Sequence, residues 1–267
     1  MDDRPFERAL PSEVRAACRT GVMTGPTAGV AAGYAQANLV VLRESDAADF
    51  RSFCEQNPKP CPLFEVTRAG SYEPVELAPD ADLRTDLPRY RVYEKGVHTA
   101  SPTSIESYWH GDFVAFLIGC SFTFEWALLE AGLPVRHIEE GVNVPMYRTN
   151  IACIPAGAFA ANMVVSMRPM TPAQAKRAAE ITAAFPSVHG EPIHIGEPSA
   201  IGITDITRPD YGDAVTIRPD EVPVFWACGV TPMEALLQAK PEIAITHEPG
   251  HMFVTDVTDE SLRVSSG

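Results

Sequence analysis

Residues 119–150, GCSFTFEWALLEAGLPVRHIEEGVNVPMYRTN, decide how this chain is read. An apolar run at 113–118 leads into Gly119-Cys120-Ser121, and a helical pattern follows with Phe124, Leu128 and Leu129 on one face. The pattern stops at Gly132-Leu133-Pro134, because glycine then proline just past the last periodic residue ends a helix. Ser121 therefore stands at the N-cap of a strand-to-helix turn, where unpaired backbone N–H groups can hold an anion. Glu125 falls in the first turn of that helix, and Tyr147, Arg148 and Asn150 follow on a second segment.

Outward from this stretch, strands and helices alternate. Residues 5–19 carry Phe6, Leu10, Val14 and Ala17 at helical spacing. The glycine-rich 21–33 lacks both the P-loop lysine and the G-x-G-x-x-G order, so it reads as close backbone packing. A strand at 39–42 precedes a helix from about Asp46 that buries Ala47, Phe50, Phe53 and Cys54. Pro58, Pro60 and Pro62 then exclude regular pairing. A strand at 63–67, a polar, proline-bearing surface excursion at 70–88 and an edge strand at 89–93 complete the first half.

Past the central helix, strands are expected at 144–154, 162–167 and 193–195, with a helix opening on Thr171-Pro172-Ala173-Gln174. They form a small two-layer α+β unit, placed as an insert at 135–197. Residues 1–134 and 198–267 make the core. Within it come a loop at 198–221, a strand at 222–227, a helix capped by Thr231, and strands at 242–246 and 253–257. This alternation predicts an α/β core with a mainly parallel sheet, and ligands at the carboxyl ends of its strands.

The chain of 267 residues is 45% hydrophobic, enough for a sizeable core. Its 35 acidic against 21 basic side chains give a formal charge of -14, which argues against nucleic acid or anionic membrane as partner. No apolar run is long enough to span a bilayer, and the acidic start is no secretory signal. Six cysteines without a C-x-x-C pair read as reduced thiols of a cytoplasmic protein. A homodimer is expected only because it is the commonest assembly.

Three polar pairs fall at strand ends: Cys120-Ser121, Cys228-Gly229 and His247-Glu248. Tyr147, Arg148 and Asn150 would meet them across a crevice between core and insert. Each residue has an alternative. Ser121 lies in G-C-S-F-T rather than G-x-S-x-G, which favours a cap or ligand donor over a nucleophile. Glu125 suits acid–base work, yet the helix dipole alone favours an acid there. Arg148 suits a bidentate carboxylate clamp or a surface ion pair. Cys120 and Cys228 suit buried small side chains or nucleophiles. The pairs His247/His251 and His189/His194 have zinc-like spacing, but Pro249-Gly250 breaks any helix between the first two, so no metal site is expected.

The runs QANLVVL (36–42), NPKPCPL (57–63), DLPRYRVY (86–93), GCSFTFE (119–125) and NVPMYRTN (143–150) resemble a bacterial family named "putative hydro-lyase". So do VSMRP (165–169), FPSVHGEPIHIG (185–196), WACGVTP (226–232) and THEPGHMF (246–253). That family is similar to a module of mitochondrial D-glutamate cyclase, which dehydrates D-glutamate to 5-oxo-D-proline. The resemblance implies a three-layer α/β core with a two-layer α+β subdomain, and it assigns no catalytic residue.

The leading reading is a hydro-lyase acting on a small carboxylated amino acid, with D-glutamate as the concrete substrate. His247 would be its base and Glu125 its acid. Ser121, Arg148 and Asn150, with Tyr147 and Glu248, would hold the carboxylates. The reading needs no cofactor and leaves a divalent metal open. One alternative is a cofactor-independent racemase or epimerase using Cys120 and Cys228 as opposed thiols. The other is a carboxylate-binding protein without catalysis.

Overall fold

The computed structural model of the protein describes residues 6–264; residues 1–5, with the acidic start and the first residue of the expected 5–19 helix, and residues 265–267 lie outside them. The chain runs α1 (Pro11–Arg19), β1 (Tyr34–Arg43), α2 (Glu44–Gln56), β2 (Leu63–Val66), β3 (Tyr90–Glu94), β4 (Val97–Ala100) and β5 (Phe113–Gly119). It continues with α3 (Phe122–Glu130), α4 (Arg136–Glu140), β6 (Met146–Ala152), β7 (Asn162–Met170), α5 (Pro172–Thr182) and β8 (His194–Ile195). Last come β9 (Val222–Ala227), α6 (Thr231–Ala239), β10 (Ile243–His247) and β11 (Phe253–Thr258).

The larger sheet is built on β1, which is buried over 35–42. One edge of β1 pairs with β5 along 37–43. The other is shared by β10, opposite 40–42, and β11, opposite 34–37. The strand order is β2-β5-β1-β10-β3-β4, with β11 beside β1. Every ladder in this sheet and in the smaller one is antiparallel, which overturns the mainly parallel core expected from the sequence.

The reason lies in the connections. Alternating strands and helices give a parallel sheet only when each helix returns the chain beside the strand it left. Here α2 joins β1 to β2, but β5 lies between those strands, so strands of like direction never touch. β3 and β4 meet through a hairpin with Lys95 at φ 51° and Gly96 at φ 77°, the left-handed pair that a tight type I′ turn requires.

One face of the larger sheet, with Val40, Leu42, Phe116 and Ile118, packs on Phe50 and Phe53 of α2 and Met233 and Leu236 of α6. The opposite face, with Leu39, Val41, Ala115 and Leu117, is covered by Leu77, Ala78, Ala81, Leu83 and Leu87. Residues 70–88 are therefore a lid on the core rather than a surface excursion. Their apolar side chains stand singly among prolines and aspartates, with no helical or strand period to reveal burial. The segment is fastened by polar bonds as well: Tyr90 Oη donates to the Leu83 carbonyl (2.9 Å), and the Leu77 N–H donates to the Glu65 carboxylate (3.0 Å).

The smaller sheet has the order β6-β7-β9-β8. Its β9 comes from beyond residue 197, the end of the expected insert, and pairs with β7 over six positions. Phe124 and Leu128 of α3 and Ala175 and Ala178 of α5 pack on Val224 and Trp226 of this sheet. Trp226 Nε1 donates to Thr182 Oγ1 at 3.1 Å, which fixes α5 on β9. Strand alternation divides β7: Val165 and Met167 join one core, while Val164 and Met170 join two others. Ser166 and Arg168 share the phase of Val164 and Met170, and so face α3.

If 70–88 is a structural cover, Leu87→Ala should lower the unfolding free energy by about 2–5 kcal/mol, the usual range for a buried leucine. Urea denaturation measures this directly. A change within about 0.5 kcal/mol, the range of an exposed site, would return the segment to the surface.

Candidate active site

The turn from β5 into α3 brings charge into the interior. Ser121 occupies the N-cap position, but its backbone is already helical (φ -62°, ψ -18°) and its side chain caps nothing. Its Oγ instead accepts from Arg168 Nη2 at 3.0 Å. Arg168 also donates from Nε to Glu125 Oε1 (2.9 Å), from Nη1 to Ser166 Oγ (2.9 Å), and a second time to Glu125 from Nη2. Its guanidinium carbon lies 5.4 Å from the Phe124 ring centre and 5.3 Å from that of Trp226. The Arg168 side chain is 0% exposed, and Ser121, Glu125, His137 and Ser166 are buried with it.

His137, from α4, completes the cluster. Its Nε2 lies 3.1 Å from Glu125 Oε1, within ion-pair reach but without hydrogen-bond geometry. Burial alone would raise the Glu125 pKa, yet the charges of His137 and Arg168 and the Arg168 hydrogen bonds pull it below the usual carboxylate value. Glu125 is thus held ionised. Glu125 Oε2 and both ring nitrogens of His137 are buried without a hydrogen-bond partner among the described residues. Removing a carboxylate and a guanidinium from water costs several kcal/mol per ion, and apolar side chains of similar volume are often as stable there. Such a cluster with unmet polar atoms is a candidate for chemistry.

Both expected thiols lie beside it. Cys120 and Cys228 each stand just before a helix, α3 and α6. Burial raises both thiols: Cys228 to about 11, and Cys120 further, with the charges of Cys228 and Glu125 adding to the effect. Both therefore remain protonated near neutral pH. Thr231 does not cap α6 as expected. Its Oγ1 donates to the Cys228 carbonyl (2.8 Å) and accepts the Val164 N–H (2.9 Å), tying the Cys228 turn to β7.

The remaining expected residues lie elsewhere. His247 stands where β10 leaves β1, with its Nδ1 3.2 Å from both the nitrogen and the carbonyl oxygen of Leu39. Burial lowers its pKa to about 4. Its charged neighbours are His251, Glu248 and Arg91, and Glu248 is ion-paired to Arg91. Arg148 is half exposed and committed to Asp210 (3.1 Å), Glu234 (2.8 Å) and the Tyr211 hydroxyl (2.7 Å). Tyr147 Oη donates to the Ile206 carbonyl (2.6 Å), and Asn150 is exposed beside Gly202. Arg148 borders two open clefts of about 480 and 570 Å³; neither is lined by Glu125 or Arg168.

The structure therefore unites Cys120, Ser121, Glu125 and Cys228, and it adds Arg168, Ser166 and His137. Arg168 was detectable as the charge inside the otherwise apolar alternation VVSMRPM. Nothing local to RHIEE marks His137.

A buried acid–guanidinium–imidazole cluster at a strand-to-helix turn is a candidate site for proton transfer. The chain belongs to the D-glutamate cyclase family, whose profile matches residues 114–256, the span that holds every residue of the cluster. It is 60% identical over 254 residues to "Putative hydro-lyase YcsI" of Bacillus subtilis, covering 95% of this chain and 99% of that one. It is 58% identical over 264 residues to a "Putative hydro-lyase" of Stutzerimonas stutzeri, covering 99% and 100%. Among solved structures, a nitrogen repressor-like protein from Methanococcus jannaschii overlaps 91% of this chain and 97% of its own at 10% identity, with a TM-score of 0.37, too low to inform the fold.

Glu125→Gln keeps the shape of the side chain but leaves Arg168 uncompensated, so it should cost about 3–5 kcal/mol at neutral pH. A depressed carboxylate pKa stabilises the fold fully above the unfolded value of 4.5, and that contribution is lost as pH falls through the lower folded value. The stability gap between wild type and variant should thus stay constant above pH 4.5 and narrow below it. Chemical denaturation across pH tests this, and a gap that widens in acid would contradict an ionised Glu125.

Proposed function

We propose that the protein is a hydro-lyase acting on a small carboxylated amino acid, most concretely converting D-glutamate to 5-oxo-D-proline. Family membership supports the reaction class. The single structural observation that supports this site is the buried Ser121–Glu125–His137–Ser166–Arg168 cluster with its unmet polar atoms.

In the reaction, the α-nitrogen forms a bond to the γ-carboxyl carbon, and one carboxyl oxygen departs as water. Starting from the zwitterion, the ammonium must lose a proton so that its lone pair can attack, and the departing oxygen must gain protons. Arg168 is suited to hold the γ-carboxylate and the negative charge that grows on its oxygens, with the Ser121 and Ser166 hydroxyls beside it. It takes the role that the sequence offered to Arg148. His137, its ring set against the Glu125 carboxylate, is suited to pass a proton to the departing oxygen. The cluster is closed to solvent, so the substrate reaches it only when a covering segment moves; the same closure strengthens each charge interaction inside. The scheme draws on side chains alone.

The two-thiol exchange reading has less support, because protonated Cys120 and Cys228 offer no thiolate to abstract a proton from carbon.

Purified protein incubated with D-glutamate should release 5-oxoproline, followed by mass spectrometry. Arg168→Lys, which loses the planar fork, should lower turnover by roughly 10²–10³-fold, the scale for losing one such donor, while Arg148→Lys should stay near wild type. Absence of product from the wild type, with and without Mg²⁺ or Mn²⁺, would dismiss this substrate.

A further inference from the structure

The proposed reaction needs a group to take the ammonium proton, and none of the cluster residues above is assigned to that step. Two segments outside it, 57–62 and 185–190, close over the same turn. The Gly119 N–H donates to the Pro62 carbonyl at 2.8 Å. The Ser187 carbonyl oxygen lies 2.3 Å from where a Cβ on Gly119 would stand, so only glycine admits that approach. Lys59 Nζ would stand 3.8 Å from a Cβ on Gly190.

His189, in the second segment, turns its ring toward the first. Its backbone is left-handed, with φ 81°, an uncommon conformation for a residue with a side chain, and one that the surrounding structure must hold in place. The residue is 1% exposed. Its Nδ1 lies 2.8 Å from the Lys59 carbonyl oxygen. A carbonyl only accepts, so Nδ1 carries the hydrogen and Nε2 presents a bare lone pair. That Nε2 is buried and has no hydrogen-bond partner among the described residues. The charges of Lys59 and Arg168 both act on the ring.

We propose that His189 Nε2 is the base that removes the ammonium proton of the substrate, while the Glu125–His137 pair delivers protons to the departing oxygen. The inference rests on the hydro-lyase reading and deepens it. The N–H bond breaks toward Nε2, the freed nitrogen pair forms the C–N bond, and the carboxyl C–O bond breaks with water as leaving group. Two protons leave the nitrogen in all, the first to Nε2 and the second once the C–N bond has formed, and two reach the departing oxygen, so the proton count closes and no oxidant or further reactant is needed. Burial, then the charges of Lys59 and Arg168, lower the pKa of the ring to about 4 in the empty protein. A bound carboxylate offsets those two charges, so the substrate itself raises the proton affinity of Nε2.

His189→Asn is the informative variant. Asparagine tolerates a left-handed backbone, and its amide can still donate to the Lys59 carbonyl, but it has no basic lone pair. Turnover of D-glutamate should fall by about 10²–10⁴-fold, the usual worth of a positioned base. The melting temperature and the Kd for 5-oxoproline should hold, and the acid limb of the kcat/KM profile should disappear. His189→Gly, unstrained at this φ, repeats the test if the Asn variant does not fold. A folded variant that keeps turnover within about threefold of an active wild type overturns the proposal, since a base is worth far more. So does a variant that loses product affinity and turnover together, which would make His189 a positioning or binding residue. A wild type that releases no 5-oxoproline dismisses D-glutamate as the substrate, and this proposal with it.

Discussion

The buried bonds of Arg168 to Ser121 and Glu125 are the constraint on which the rest depends. Arg168 belongs to the smaller sheet, while Ser121 and Glu125 follow the central region of the larger one, so a single guanidinium ties the two together. The desolvation it incurs is offset by hydrogen bonds from each of its three nitrogens, Nε, Nη1 and Nη2. Phe124 and Trp226 beside it exclude water from those bonds. The unmet atoms sit on its partners, Glu125 and His137, where a small polar ligand would complete them.

This arrangement also accounts for the position of two glycines. Gly119 admits the Ser187 carbonyl, which brings His189 to the turn. Gly229 admits the Asn38 side chain, whose amide donates to the Ile118 and Gly119 carbonyls at 3.1 and 2.9 Å. β1, β5 and the Cys228 turn are thereby held at one point. Close backbone approach, rather than flexibility, is what both positions require.

Much of the local structure was legible in the sequence, because local signals governed it. The helix after Ser121 and its stop at Gly132-Leu133-Pro134 follow from period and chain-terminating residues, as does the Thr171 capping box, which the structure contains. Strand direction was not legible. Alternating elements say nothing of which strand fills the gap between two others, and β5 fills the gap between β1 and β2. The cover at 70–88 was missed because its burial has no period. Thr231 misled because a hydroxyl in capping position can be diverted to a better partner, and Ser121 was diverted likewise. The two arginines are the sharpest contrast. Arg148 and Arg168 both stand in alternating strands, but the acids that meet Arg148, Asp210 and Glu234, come from distant segments that no local pattern links to it. Arg168 faces inward because its phase matches Val164 and Met170, a reading available from the sequence of β7 alone.

A crystal structure with bound 5-oxo-D-proline tests the account most directly. The expected result is the ligand within hydrogen-bond distance of Arg168, displacing part of its contact with Glu125 or Ser121, and with the lone pair of His189 turned toward the ring nitrogen. Ligand seated in the open clefts beside Arg148, with the Glu125–Arg168 pair undisturbed, would contradict it.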